Sequence, residues 1–160
     1  MQIIFRNVKT NQELIMPVTP PGFTVAEGRS VETLDMAETG QVNLPGLRKL
    51  FNQRLEFLLP SSERNYTTSG WTGEPYTVVD RLVEWSNNGD VLRFIATDTP
   101  VNLPVLLGPV EHGQRDGTGD VYVTLELRQY RELQEESTEV NQDTGNLSRA
   151  APQEKKEEGS

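Results

Sequence analysis

The sequence contains no cysteine. A disulfide framework, a thiolate metal site and a cysteine nucleophile are therefore excluded, and the composition is compatible with a reducing compartment. Histidine is nearly as scarce, with His112 the single example. A zinc site needs several imidazole or thiolate ligands, and the chain cannot supply them. No run of about 18 apolar residues exists to span a membrane, and the opening MQIIFRNVKTNQ lacks the apolar centre of a signal peptide. An excess of positive charge is also missing. The 15 Lys and Arg stand against 24 Asp and Glu, a net charge of −9, which argues against binding to nucleic-acid phosphates and is read as a solubilising surface.

Apolar residues are thin overall, at 34%, and unevenly distributed. From Gln134 to Ser160 the only large apolar residues are Val140 and Leu147, with no aromatic. Such a segment buries too little surface to offset its ordering entropy, so residues 134–160 are expected to form a disordered acidic tail. Residues 1–133 are then one β-rich domain, long enough for a single core.

Within that domain, most periodic stretches alternate. In GDVYVTLELRQYREL (119–133), Val121, Val123, Leu125 and Leu127 alternate with Tyr122, Thr124, Glu126 and Arg128, the pattern of a two-faced strand. QIIF (2–5) and ELIM (13–16) flank a polar link and predict a hairpin. FTVAE (23–27) predicts a brief strand, SVETLDM (30–36) a weaker one, and GQVNLPG (40–46) a strand end or turn. VLRFIATD (91–98) reads as a buried strand. VNLPVLLGPVE (101–111) reads as another, with Pro104 marking a bulge or an edge, and it pairs with the strand after the 112–119 turn. RKLFNQRLEFLLP (48–60) fits helical spacing and alternation about equally. EPYTVVDRLVEWSNNG (74–89) is the clear helix, over about 75–88. Pro75 suits its first turn, Val78, Leu82 and Trp85 form a stripe, and Gly89 stops it. The expected fold is mainly β (α+β): an antiparallel sandwich or small barrel of about 7–9 strands with one helix.

The search for chemistry finds little. His112 lies in the turn HGQRDGTG, and no serine sits in a G-x-S-x-G setting, so it reads as a loop residue. Asp116, Thr118 and Asp120 alternate as calcium ligands do, but Val121 and Leu127 occupy the places where an EF-hand loop needs Gly and Glu. The glycines of that turn precede a strand and not a helix, which removes a phosphate cradle. Glu32, Asp35 and Glu38 read as a solvated segment, with a glycosidase pair as the minor alternative. No catalytic, cofactor-binding or metal residue is assigned. Trp71, isolated in GWTG, either anchors a partner or folds back onto the sheet. Leu58 and Leu59 before Pro60 pose the same choice, and Tyr66 lies in the same polar loop.

An ordered set of segments is more informative. IMPVTPPGFTV is followed by ETLDMAETGQVNLPGLRKL, then LEFLLP, then a helix opening EPYTVVDRLVEW, then VLRFIATDTPVNLPVLL and GDVYVTLELRQYREL. Over about residues 10–133 this order resembles the N-terminal domain of the XkdP-like baseplate proteins of contractile phage tails and tail-derived bacteriocins. In place of the paired phenylalanines usual before the family's proline, this chain has Phe57, Leu58, Leu59 and Pro60. It carries Pro20, Pro21, Gly22 where the family has Pro-Glu. Family members often continue into a LysM peptidoglycan-binding domain; here an acidic tail follows, so wall binding is not implied.

The resemblance implies that 48–60 is a strand. It also implies a virion structural protein of the tail, assembled in the bacterial host cytoplasm. Its partners would be hub and tail-tube proteins and copies of itself in a ring. The interface candidates are the ones read from the residues themselves, Leu58, Leu59, Tyr66 and Trp71. The alternative from another class is a small carbohydrate or cell-wall module stacking sugars on Trp71 and Tyr66.

Overall fold

The computed structural model describes residues 1–133, 138–140 and 147–149. Met1–Tyr130 form one compact unit and Arg131–Ser160 a second. Of the expected disordered tail, most lies outside the described residues. Its two described segments, Thr138–Val140 and Leu147–Arg149, pair as a small antiparallel ladder.

The first unit is built on one antiparallel sheet of six strands. In chain order these are β1 (Ile3–Asn7), β2 (Glu13–Ile15), β5 (Asn52–Leu59), β6 (Leu92–Ala96), β7 (Asn102–Gly113) and β8 (Val121–Gln129), arranged β2-β1-β6-β7-β8-β5. Two further strands, β3 (Arg29–Met36) and β4 (Gly40–Arg48), form a ribbon of their own. The helix α1 (Pro75–Asn88) packs on β7 and β8. The mainly β, α+β architecture expected from the sequence is therefore present as a two-layer arrangement of sheet and helix. No ladder joins β2 to β5, so the sheet is not closed into a barrel.

The sheet's two faces follow from its alternation. Register places Phe5 opposite Phe94, Ile3 opposite Ala96, Leu92 opposite Val105, and Leu107 opposite Leu127. Leu125 faces Leu55, Val123 faces Phe57, and Val121 faces Leu59. These residues form one continuous buried face, and α1 covers it with Val78, Val79, Leu82 and Trp85. The helix ends as the sequence predicts. Gly89 takes φ 65°, and the Gly89 and Asp90 N–H groups donate back to the Ser86 and Trp85 carbonyls, a Schellman closure.

The segment 48–60 is a strand from Asn52, with Leu55, Phe57 and Leu59 turned inward, as the resemblance implies. Four local expectations change. FTVAE is not a strand. Phe23 and Val25 pack against the core while the Thr24 N–H donates to the Gln53 side chain, so its alternation reports burial without a pairing partner. GQVNLPG, expected as a strand end or turn, is most of a nine-residue strand. The bulge of β7 falls at Gly108 and Pro109, which together oppose Glu126, and not at Pro104. At Pro104 the carbonyl accepts from the Tyr130 N–H just past the end of the β7–β8 ladder, and the ring nitrogen forgoes only the reciprocal bond at that end. Leu59, expected at an interface, is fully buried in the core because it sits in register with Val121 on the inner face.

Candidate docking surface

The other interface candidates fall in three different settings. Leu58 lies on the outer face of the sheet, half-buried and opposite Tyr122. Tyr66 is 51% exposed at the tip of the loop between β5 and α1. Trp71 folds back. It packs against the core, and its Nε1–H donates to the Pro60 carbonyl at 2.9 Å. Trp71 and Tyr66 therefore form no common stacking platform.

The loop that carries them is held down at several points. The Thr68 N–H and hydroxyl donate to the carbonyls of Pro17 (2.8 Å) and Met16 (3.1 Å). Asp120, only 5% exposed, accepts from the Ser61 N–H at 2.8 Å, the Ser61 hydroxyl at 3.0 Å, and both oxygens take Arg64 Nη2 at 2.9 and 3.1 Å. The Ser61 N–H bond, then the Ser61 hydroxyl and the Arg64 charge, hold the Asp120 carboxyl below the usual carboxylate range despite burial. Asp120 thus points inward. Asp116 instead takes the Thr118 N–H and hydroxyl in a local turn, so the two carboxylates are aimed at different partners.

His112, expected in the turn, instead stands near the end of β7, opposite Val123 and edge-on to Tyr76 with centroids 6.3 Å apart. It borders a shallow depression of about 210 Å³ with Glu111, Arg115, Tyr122 and Thr124. Glu111 is paired with Arg54, and Arg115 with Glu56 at 2.9 Å while lying over the Tyr122 ring at 4.5 Å. Each charged group in the depression is thereby matched by a neighbour. No group of three or more His, Asp or Glu placed to hold a metal ion occurs among the described residues.

The conspicuous surface is the ribbon. β3 and β4 pair with each other from Met36↔Gly40 to Arg29↔Arg48 and make no extended contact with another element. The three-residue loop Ala37–Thr39 closes the tip, with Gly40 at φ 78°. At the base the Lys49 N–H donates to the Gly28 carbonyl, and the Ser30 hydroxyl to the Leu47 carbonyl. One face of the ribbon carries Thr33 hydrogen-bonded to Asn43, with Asp35 across from Gln41. The opposite face carries Leu34 across from Val42, Met36, and Leu44 across from Glu32. Leu34 and Met36 are half exposed and Leu44 43% exposed, although apolar side chains in a row normally find cover.

Sequence reasoning placed Glu32, Asp35 and Glu38 on a solvated segment but missed that the segment is half of a ribbon. The alternation of Leu34 with Met36, the short link AETG, and Val42 with Leu44 were the clues.

No family model matches the chain, and no curated protein sequence matches it.

Proposed function

We propose that this chain is a structural component of a phage tail or phage-tail-like contractile particle, a baseplate hub protein linking the tail tube to the central spike complex. It works by docking and carries out no chemistry. The observation that carries this reading is the β3–β4 ribbon, a two-stranded element with an uncovered apolar face. Two isolated strands are marginal in water, so a ribbon of this length is an arm whose stability is completed by what it lies against. The resemblance of the ordered segments to those of the XkdP-like baseplate proteins supports this kind of assembly. The net charge of −9 suits a protein placed beside a DNA conduit without adhering to it.

In this reading the curled sheet is a rigid body, and its partners are tube and hub proteins and further copies of the chain. Nucleic acid and membrane are not partners. The inward-turned Trp71 and the mutually paired charges around His112 leave neither place built as a sugar-stacking or catalytic site.

The test is to locate the chain in assembled particles by labelling and electron microscopy. Density at the junction of tube and hub is expected. Retention on purified peptidoglycan, with absence from every particle, would favour the wall-binding alternative and overturn this one.

A further inference from the structure

The geometry points to one particular self-contact: the apolar face of the β3–β4 ribbon of one copy lies on the outer face of β2, β1 and β6 of the next. This rests on the docking role proposed above and goes beyond it by naming both surfaces.

The receiving surface is as unusual as the ribbon. On the outer face of the sheet, register aligns Ile15, Ile4 and Ile95 in one row across β2, β1 and β6. Ile15 is 42% exposed and Ile4 and Ile95 are half-buried, and no other described strand or helix is packed over the row. Beside it, Arg6 stands directly across from Arg93. Like charges facing each other across a ladder are unfavourable unless neutralised. Glu13 pairs with Arg6, but Arg93 is exposed and has no carboxylate partner among the described residues.

The ribbon supplies the complement. Its apolar face carries Leu34, Met36, Val42 and Leu44, and one acid, Glu32, which has no cationic partner among the described residues. Glu32 precedes Leu34 by two residues on β3, as Arg93 precedes Ile95 by two on β6. Each surface therefore sets its charge one same-face step, about 7 Å, from its apolar row. Superposing the rows brings the free acid to the free base. The ribbon does not reach this row in its own chain, so the match is met only between copies. The two surfaces differ, which makes the contact head-to-tail, and such a contact propagates into a ring or an open filament.

The experiment uses the full chain and light scattering after size exclusion, over a range of concentrations. Wild type is expected to form species larger than a dimer. The ribbon variant Leu34→Asp/Met36→Asp and the receiving-face variant Ile15→Asp/Ile95→Asp should each be monomeric, with melting temperatures close to wild type because the ribbon residues and Ile15 are exposed. Mixed together, they should give a 1:1 dimer and stop there, since one intact ribbon meets one intact receiving face. Should the Ile95 change unfold the body, the charge pair provides an independent arm. Glu32→Arg and Arg93→Glu should each weaken assembly at least tenfold, and Glu32→Arg/Arg93→Glu should restore it. The inference is overturned if wild type stays monomeric at every concentration, if the receiving-face variants assemble like wild type, or if the mixture fails to pair. Monomeric protein that is nonetheless found in tails would sink this contact and leave the tail role standing. Self-assembling protein absent from tails would do the reverse.

Discussion

Phe5 and Phe57 meet edge to face, with ring centroids 6.1 Å apart and planes at 74°, although three strands of the sheet separate β1 from β5. In a flat sheet, four strand steps would set these positions roughly 19 Å apart. The sheet must therefore curl until β1 and β5 meet across the core, without the hydrogen bonds that would close it. Phe94 packs on Phe5 at 5.6 Å from the neighbouring strand, and Phe23 stands edge-on to Phe94 at 5.9 Å. The aromatic cluster takes the place of the missing ladder in holding the body's curvature.

This arrangement predicts strong coupling between positions distant in the chain. Phe5→Ala and Phe57→Ala should each destabilise the domain by about 3–5 kcal/mol, from lost burial and an unfilled cavity. Phe5→Leu/Phe57→Leu, measured in a double-mutant cycle by urea unfolding, should show a coupling of about 0.5–1.5 kcal/mol. Additive effects would mean that the ring contact contributes nothing beyond area.

Asp120 gives an acid-side prediction. Its folded carboxyl titrates below the ordinary value of about 4, so between the two values the unfolded chain binds more protons and stability rises with pH. The contribution is complete above about pH 4 and is lost as pH falls through the depressed folded value. Asp120→Asn leaves Arg64 and the Ser61 donors short of a charge-assisted acceptor and should cost about 2–3 kcal/mol at neutral pH. The difference between variant and wild type, followed by thermal melts from pH 7 downward, should shrink toward acid. A constant difference would exclude this carboxylate as the cause.

Trp71 should behave as a structural residue. Trp71→Phe keeps most of the packing but removes the donor to the Pro60 carbonyl, and should cost about 1 kcal/mol without changing assembly. Tyr66→Ala, at the exposed tip of the same loop, should leave the melting temperature nearly unchanged. A loss of assembly in Trp71→Phe, at unchanged stability, would restore the tryptophan as a partner anchor.

The particular residues show how far the sequence could be read. The helix was legible because Pro75, the Val78–Leu82–Trp85 stripe and Gly89 are local signals that tertiary structure did not have to supply. The inner face of β8 was legible for the same reason. The segment 48–60 was not, since its helical and alternating patterns are nearly equal, and what decides is the β8 register that seats Leu55, Phe57 and Leu59. Leu58 and Leu59 illustrate the point on a smaller scale. Neighbours in sequence, they sit on opposite faces, and only the strand's phase tells which is core. The ribbon was hidden differently. Its apolar residues are exposed, so the rule that reads apolar alternation as one buried face does not single it out.

The base of the ribbon offers a way to loosen the arm without touching either docking surface. β4 carries an irregularity there, with Gly46 and Leu47 set against Ser30 alone between Arg29↔Arg48 and Val31↔Pro45. A Cβ on Gly46 would stand 2.2 Å from the Ser30 hydroxyl oxygen and 3.0 Å from its carbonyl oxygen. Rotating the hydroxyl relieves the first clash but not the second, so Gly46→Ala should open the base and release the Ser30 bond to the Leu47 carbonyl. The body has its own core, so its unfolding free energy should change by less than about 1 kcal/mol, while amide exchange along β3 and β4 should lose its protection. Assembly should fall in step with that protection, because a loosened arm must be ordered again when it docks. Full assembly by Gly46→Ala, with exchange protection lost, would show that the arm's order plays no part in association.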